Sequence, residues 1–161
     1  MKLTSTHYII GVILILVIIA YMTKDTIKKA FTRGYTNKNP GNIIKDGQTW
    51  VGEVPSTDKT FKQFKSMPYG YRAMWVNLRS YLNSGVDTIS KIISRYAPPS
   101  ENDTKAYIAA VSKSMGKSPD TKLTFTDTPA IRSLIMAISE HENGLPANRD
   151  DVDAGFKLLN S

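Results

Sequence analysis

The sequence predicts a mainly α-helical protein that consists of an N-terminal transmembrane helix and one helical domain with a small β region. Two observations support this: a long apolar run near the N-terminus, and later segments whose apolar residues recur every three or four positions. A chain of 161 residues has room for one domain and an appendage. We therefore expect an anchor with a basic collar at residues 1–32 and a globular domain at residues 33–161.

The anchor is predicted from the 21 residues between Lys2 and Lys24, in which His7 is the only ionisable group apart from tyrosines. About 20 apolar residues suffice for a helix to cross a bilayer. A cleaved signal peptide is the alternative, but only Lys2 precedes the run and no small-residue cleavage site follows it. The cations after the run favour a cytoplasmic domain, or a tether to anionic lipid or wall polymer. We expect a retained single-pass anchor, with the lipid membrane as a partner.

The domain begins with a segment rich in Gly, Pro, Asn and Thr, which predicts turns and short strands around 42–44, 49–54 and 60–64. Helical stripes follow, and several include aromatic residues, such as Trp75, that we assign to the core. Helix starts are predicted at residues with capping or N1 chemistry. These are Pro68, Asp87, Asp103 or Thr104, Thr128-Pro129 and Asp150-Asp151.

Composition excludes several kinds of site. The chain has no cysteine and two histidines, so thiol chemistry and multi-histidine metal sites lack ligands, and we expect no metal. No glycine-rich phosphate loop is present, and we expect no cofactor. The net charge of +7 suggests an anionic partner. Nucleic acid is not the expected partner, because the chain lacks a recognition helix or an RNA-binding signature.

Carboxylate chemistry remains, and the chain has four glutamates: Glu53, Glu101, Glu140 and Glu142. Glu101 precedes a predicted helix, where an acid stabilises free amides. Glu142 falls at a helix C-terminus, where the dipole disfavours a negative charge and favours the protonated form that a general acid needs. An exposed acid at a frayed helix end is the alternative interpretation. Glu140 is the competitor, but it lies two positions away on a different face.

Several motifs give the domain a family resemblance. They are RGYTNKNPGNI at 33–43, WVG at 50–52, FKQF at 61–64, GYRA at 70–73 and YAPPSENDTKAY at 96–107. Together they resemble a family of phage and prophage proteins labelled virion structural protein, over roughly residues 33–144. The resemblance implies a phage origin and a lysozyme-like fold that acts on peptidoglycan. Family members are typically without an anchor, so the apolar run is an addition.

Lysozyme-like transglycosylases place the catalytic glutamate at a helix end, and an Asn-rich β region follows it. Here the order looks circularly permuted, because Glu142-Asn-Gly144 comes after the Asn-rich segment 37–64. The hypothesis therefore requires Glu142 to face that segment. A catalytic Glu142 would act alone in a lytic transglycosylase, whereas a hydrolase usually needs a second acid. Asp46, Glu53 and Asp58 are possible second acids, but their spacing singles out none of them.

The resemblance also suggests residues that bind sugar. Asn39 and Asn42 are candidates to bind sugar amides or to orient the acid, although Asn-Pro-Gly-Asn is equally good turn chemistry. Trp50, Tyr69 and Tyr71 offer apolar ring faces on which sugar rings stack.

Three functional classes follow. The first is a membrane-anchored, peptidoglycan-degrading phage enzyme, located in the internal membrane of a virion or in the host inner membrane at lysis. The second is a non-enzymatic virion protein whose lysozyme-like domain only supports contacts with the membrane or with other virion proteins. The third is a lysis enzyme with a releasable anchor, which the strongly apolar run disfavours.

Overall fold

The computed structural model describes residues 5–100 and 103–160; Glu101 therefore lies outside the described residues. Its helices and strands follow in the order α1 Ser5–Phe31, α2 Arg33–Thr36, β1 Glu53–Val54, β2 Gln63–Phe64, α3 Met67–Asn83, α4 Ile89–Tyr96, α5 Thr104–Met115, α6 Thr128–Asn143 and α7 Arg149–Lys157. The mainly helical content agrees with the sequence prediction.

The predicted transmembrane anchor is wrong. Among the helices that the structure describes, none combines the length and the apolar character needed to cross a bilayer. Helix α1 runs without a break through Lys24, Lys28 and Lys29, so one continuous helix combines the apolar run with the collar predicted to follow it. The predicted single-pass location in a virion membrane or the host inner membrane depended on this anchor and is wrong for the same reason.

The core forms around α3, whose inward face packs against α6 and α7. Trp75 is fully buried, as the helical stripe predicted, and its ring lies 4.8 Å from Phe156 and 6.0 Å from Phe125. Its indole N–H donates to the Val152 carbonyl over 3.1 Å. Burial of large apolar side chains is the main source of stability in a domain of this size. The core therefore fixes α6 and α7 relative to α3.

Helix ends follow capping chemistry, with small shifts from the predicted residues. Asp103 and Asp127 accept from the backbone N–H groups of residues 106 and 130. Helix α4 is capped by Thr88, whose side chain accepts from Lys91 N, and not by Asp87. Asp87 instead accepts from the Lys91 ammonium over 2.8 Å, so its carboxylate is paired with a side chain of α4 and does not cap the helix.

The β region is smaller than predicted. Strands β1 and β2 pair antiparallel over two residues each, and an isolated bridge joins Ile44 to Phe61. Side chains hold part of the remaining backbone: Asn39 donates to the carbonyls of Ile43 and Lys62 and accepts from Ile43 N. Such local bonds compete with strand ladders. The segment is therefore a set of linked turns beside α6.

Candidate functional site

Glu142 lies in the last turn of α6, where the sequence places it. Gly144 ends the helix in a left-handed conformation, with φ at 60°. The Lys28 ammonium of α1 donates to the Gly144 carbonyl over 2.5 Å. A cation at a helix C-terminus offsets the negative end of the helix dipole. The unfavourable field that the sequence predicts at this helix end is thus partly compensated by α1.

Two side chains hold the Glu142 carboxylate. Asn42 Nδ2 donates to Oε2 over 2.8 Å, and the Tyr107 hydroxyl of α5 donates to Oε1 over 2.8 Å. Burial raises the pKa of Tyr107 well above its ordinary value, and the charge of Glu142 raises it further. The phenol therefore keeps its proton at physiological pH. A phenol hydroxyl can donate to a carboxylate or accept from a carboxyl, so the contact tolerates both forms of Glu142.

The turn that carries Asn42 is tied to the helix that carries Glu142. Asn143, the next residue of α6, donates to the Pro40 carbonyl over 2.8 Å. Asn42 itself is held at a φ of +47°, a left-handed conformation that asparagine tolerates better than most residues. Gly41 cannot be replaced without a shift, because a Cβ there would lie 2.2 Å from the Tyr96 hydroxyl oxygen. These contacts bring Glu142 against the 37–64 segment, as the permutation hypothesis requires.

A cleft extends away from Asn42. It consists of two adjoining depressions of about 320 and 400 Å³, which share Trp50, Tyr81 and Arg95 among their lining residues. Asn42 lines the first depression and donates to Glu142. The carboxylate is therefore one hydrogen bond away from the wall of an open, aromatic cleft.

A buried lysine organises the loop that carries Trp50. Lys62 is 1% exposed, and its ammonium lies 2.8 Å from Asp46, 3.2 Å from Glu53 and 2.6 Å from the Gln48 carbonyl. Trp50 bonds to the same two acids, through its indole N–H to Asp46 and its backbone N–H to Glu53. Partial burial opposes ionisation of Asp46, but the bonds from Lys62 and the backbone of Gln48 outweigh it and lower its pKa. The position of the Trp50 ring therefore depends on Lys62.

The three possible second acids are all engaged. Asp46 and Glu53 pair with Lys62, as described. Asp58 accepts from Phe61 N, Asn37 and Thr60 N and pairs with Arg33, contacts that lower its pKa to about 2. In the part of the chain that the structure describes, no group of three acidic or histidine side chains is arranged to hold a metal ion.

The other sequence candidates have different positions. Asn39 and Tyr71 are fully buried, Asn39 against backbone and Tyr71 with its hydroxyl 3.1 Å from Ser139 Oγ, so neither reaches a sugar. Tyr69 packs against Gly52, with the Lys65 ammonium over its ring. Glu140 is exposed and lines a separate groove between α5 and α6.

Sequence reasoning missed Tyr107, Lys62 and Arg95. Tyr107 belongs to the apolar stripe of α5 and was assigned to the core, where its ring indeed lies. Its hydroxyl is the only part that serves the site, and the stripe pattern carries no signal for it. Lys62 shares one face of the strand predicted at 60–64 with Phe64, two positions further on, and this alternation is the signal that could have placed it facing inward.

The fold and the site together define a small, mainly helical protein in which a glutamate at a helix end lies beside an aromatic cleft. The chain is 38% identical over 131 residues to Protein P5 of Pseudoalteromonas phage PM2, a match that covers 78% of this chain and 80% of that protein. The chain belongs to the family of that phage protein. No protein-family model matches it. The phage part of the resemblance is confirmed, and the lysozyme-like domain stays a prediction.

Proposed function

We propose that the protein is a phage enzyme that cleaves the glycan strand of peptidoglycan, with Glu142 as general acid and base. The observation that carries the proposal is the Glu142 carboxylate, which Asn42 and Tyr107 hold through both oxygens, with Asn42 itself lining an aromatic cleft. Trp50, which lines that cleft, would offer a ring face to a pyranose ring. The lysozyme-like fold that the family resemblance implies would act on the same substrate.

A lytic transglycosylase reaction fits the available groups. Glu142 would protonate the glycosidic oxygen as the bond to C1 breaks, and the C6 hydroxyl of the same sugar would then attack C1. Glu142 would take the proton from that hydroxyl, so the carboxyl is regenerated and a 1,6-anhydro ring remains. No water is consumed and one carboxylate suffices. Hydrolysis would need a second acid, and Asp46, Glu53 and Asp58 are all committed to other partners.

The proposal is tested by incubating the full chain with purified sacculi and analysing the soluble products by mass spectrometry. We expect fragments that end in 1,6-anhydro sugars. Fragments with reducing ends would identify a hydrolase and contradict the transglycosylase route. Complete absence of soluble fragments, when a known lytic enzyme releases them from the same sacculi, would reject the enzymatic function.

Tyr107→Phe tests the positioning of Glu142. The ring and its packing remain, but one hydrogen bond to the carboxylate is lost, so we expect kcat to fall by at least about tenfold with little change in KM. Tyr35→Phe is the matched control, because that hydroxyl contacts the Pro146 carbonyl and not Glu142. Equal rates for the two variants would show that Tyr107 only fills space.

A non-enzymatic virion component is the second candidate function. The apolar residues of α1 favour it, since Ile10, residues 12–19 and Tyr21 are each at least half exposed. Contiguous apolar surface of this kind is typical of protein contacts. A virion role without glycan cleavage would leave sacculi intact and retain the protein in purified particles.

A further inference from the structure

Arg95 gives the cleft a positive charge that the proposed reaction does not use. It is exposed at the end of α4, lines both depressions, and its guanidinium carbon lies 5.0 Å from the centroid of the Tyr81 ring. Stacking on an aromatic face holds an arginine in place while its N–H groups stay free to bind. Among the residues that the structure describes, no carboxylate pairs with Arg95. The cleft therefore presents an oriented cation without an ion-pair partner.

The neighbouring charges do not cancel this one. Asp46 is the acidic residue that lines the cleft, and it is already paired with Lys62. Arg72 also lines the larger depression, but its Nε donates to the Leu158 carbonyl. A ligand that fills the cleft would thus meet a net positive surface that includes the Arg95 guanidinium.

The position of Arg95 is fixed relative to Glu142. The next residue, Tyr96, donates through its hydroxyl to the Gly41 carbonyl, and Gly41 precedes Asn42, which holds Glu142. The neighbour of Arg95 and the Glu142 carboxylate are therefore both hydrogen-bonded to the same turn, through Gly41 and Asn42. A ligand bound to Arg95 would have a defined register at Glu142.

We propose that Arg95 binds a carboxylate on the glycan and so selects acidic, muramic-acid-containing strands over neutral chitin-type strands. The inference rests on the proposed function, since it assumes that the cleft takes a glycan. Guanidinium groups bind carboxylates through two parallel hydrogen bonds, a geometry that neutral sugars do not offer. Muramic acid supplies such a group either as its own lactyl carboxylate or through its stem peptide.

The experiment measures binding and not cleavage, with Glu142→Gln as the parent so that the ligand persists. Three ligands are titrated: peptide-free glycan strands with free lactyl carboxylates, strands that keep their stem peptides, and chitin oligosaccharides of matched length. Adding Arg95→Gln should weaken binding of at least one acidic ligand by about tenfold and leave chitin binding unchanged. The acidic ligand that is affected identifies the source of the carboxylate.

Arg79→Gln in the same parent is the matched control. Arg79 also stacks on an aromatic ring, that of Phe125, but it does not line the cleft. Equal weakening by the two substitutions, equal weakening for chitin, or no weakening for either acidic ligand would overturn the inference.

The two proposals fail separately. Release of anhydro products by the wild type, together with Arg95-independent binding, would retain the enzyme and reject the role of Arg95. Arg95-dependent binding of acidic strands without any cleavage by the wild type would support the binding site and reject catalysis. A parent that binds none of the three ligands would overturn the inference about Arg95.

Discussion

Glu142→Gln is expected to reduce the release of soluble glycan from sacculi by about 10²–10⁴-fold, the usual contribution of a general acid or base. An amide cannot deliver a proton to the glycosidic oxygen or take one from the C6 hydroxyl. Glutamine is as large as glutamate, so the expected loss of activity comes from the missing proton transfer and not from altered packing. Undiminished release would exclude Glu142 as the catalytic residue.

The local contacts tolerate this substitution. Asn42 Oδ1 is buried and, within residues 5–100 and 103–160, has no hydrogen-bond partner. The Asn42 amide can therefore turn by about 180° to accept from the new side-chain N–H without losing another bond. We expect the thermal unfolding midpoint of the variant to stay close to that of the wild type. Glu140→Gln is the matched control. It removes a more exposed acid from the same helix, at a position that does not line the cleft, so activity should persist.

Lys62→Ala should lower the free energy of unfolding by about 3 kcal/mol. The ammonium is buried and joins Asp46, Glu53 and the Gln48 carbonyl, so its removal leaves two partly buried acids and a carbonyl without their common partner. Removing one member of a buried ion pair is costly because the remaining charge is uncompensated. Urea denaturation monitored by circular dichroism measures the change.

Lys65→Ala is the matched control, since that lysine is exposed and contacts only the Tyr69 ring among the contacts described above. We expect it to cost less than about 1 kcal/mol, as exposed cation–π contacts do. A similarly small loss for Lys62→Ala would mean that water replaces the ammonium and that the Trp50 loop does not depend on it.

The helices were more predictable than the β region. Helix positions follow from apolar periodicity and caps, which are local properties that the sequence displays, and Asp103, Asp127 and Gly144 act as such signals indicate. The strands were overestimated because Asn39 and Asp58 satisfy backbone groups that a ladder would otherwise pair. The membrane anchor was inferred from the apolar run and the residues that flank it, and this prediction was wrong, because none of the described helices is long and apolar enough to cross a bilayer.

The site was predictable only where local chemistry marked it. Glu142 stood out because an acid at a helix C-terminus is unfavourable, and Asn42 because it belongs to an Asn-rich turn. Tyr107 and Lys62 take their roles from partners that are distant along the chain. Tyr107 lies 35 residues from Glu142, and Lys62 lies 16 residues from Asp46. Contacts of that kind depend on how the elements pack, which periodicity does not encode.

The bond between Asn42 and Glu142 joins positions 100 residues apart, and Asn143 meets Pro40 across 103. The ribosome therefore synthesises the Asn42 turn, the Trp50 loop and helices α3, α4 and α5 before it adds Glu142. Closing so long a loop is among the later events of folding, because its entropic cost must be met before its contacts form. The two sides of the candidate site can therefore meet only after the chain from Asn42 to Glu142 has been synthesised.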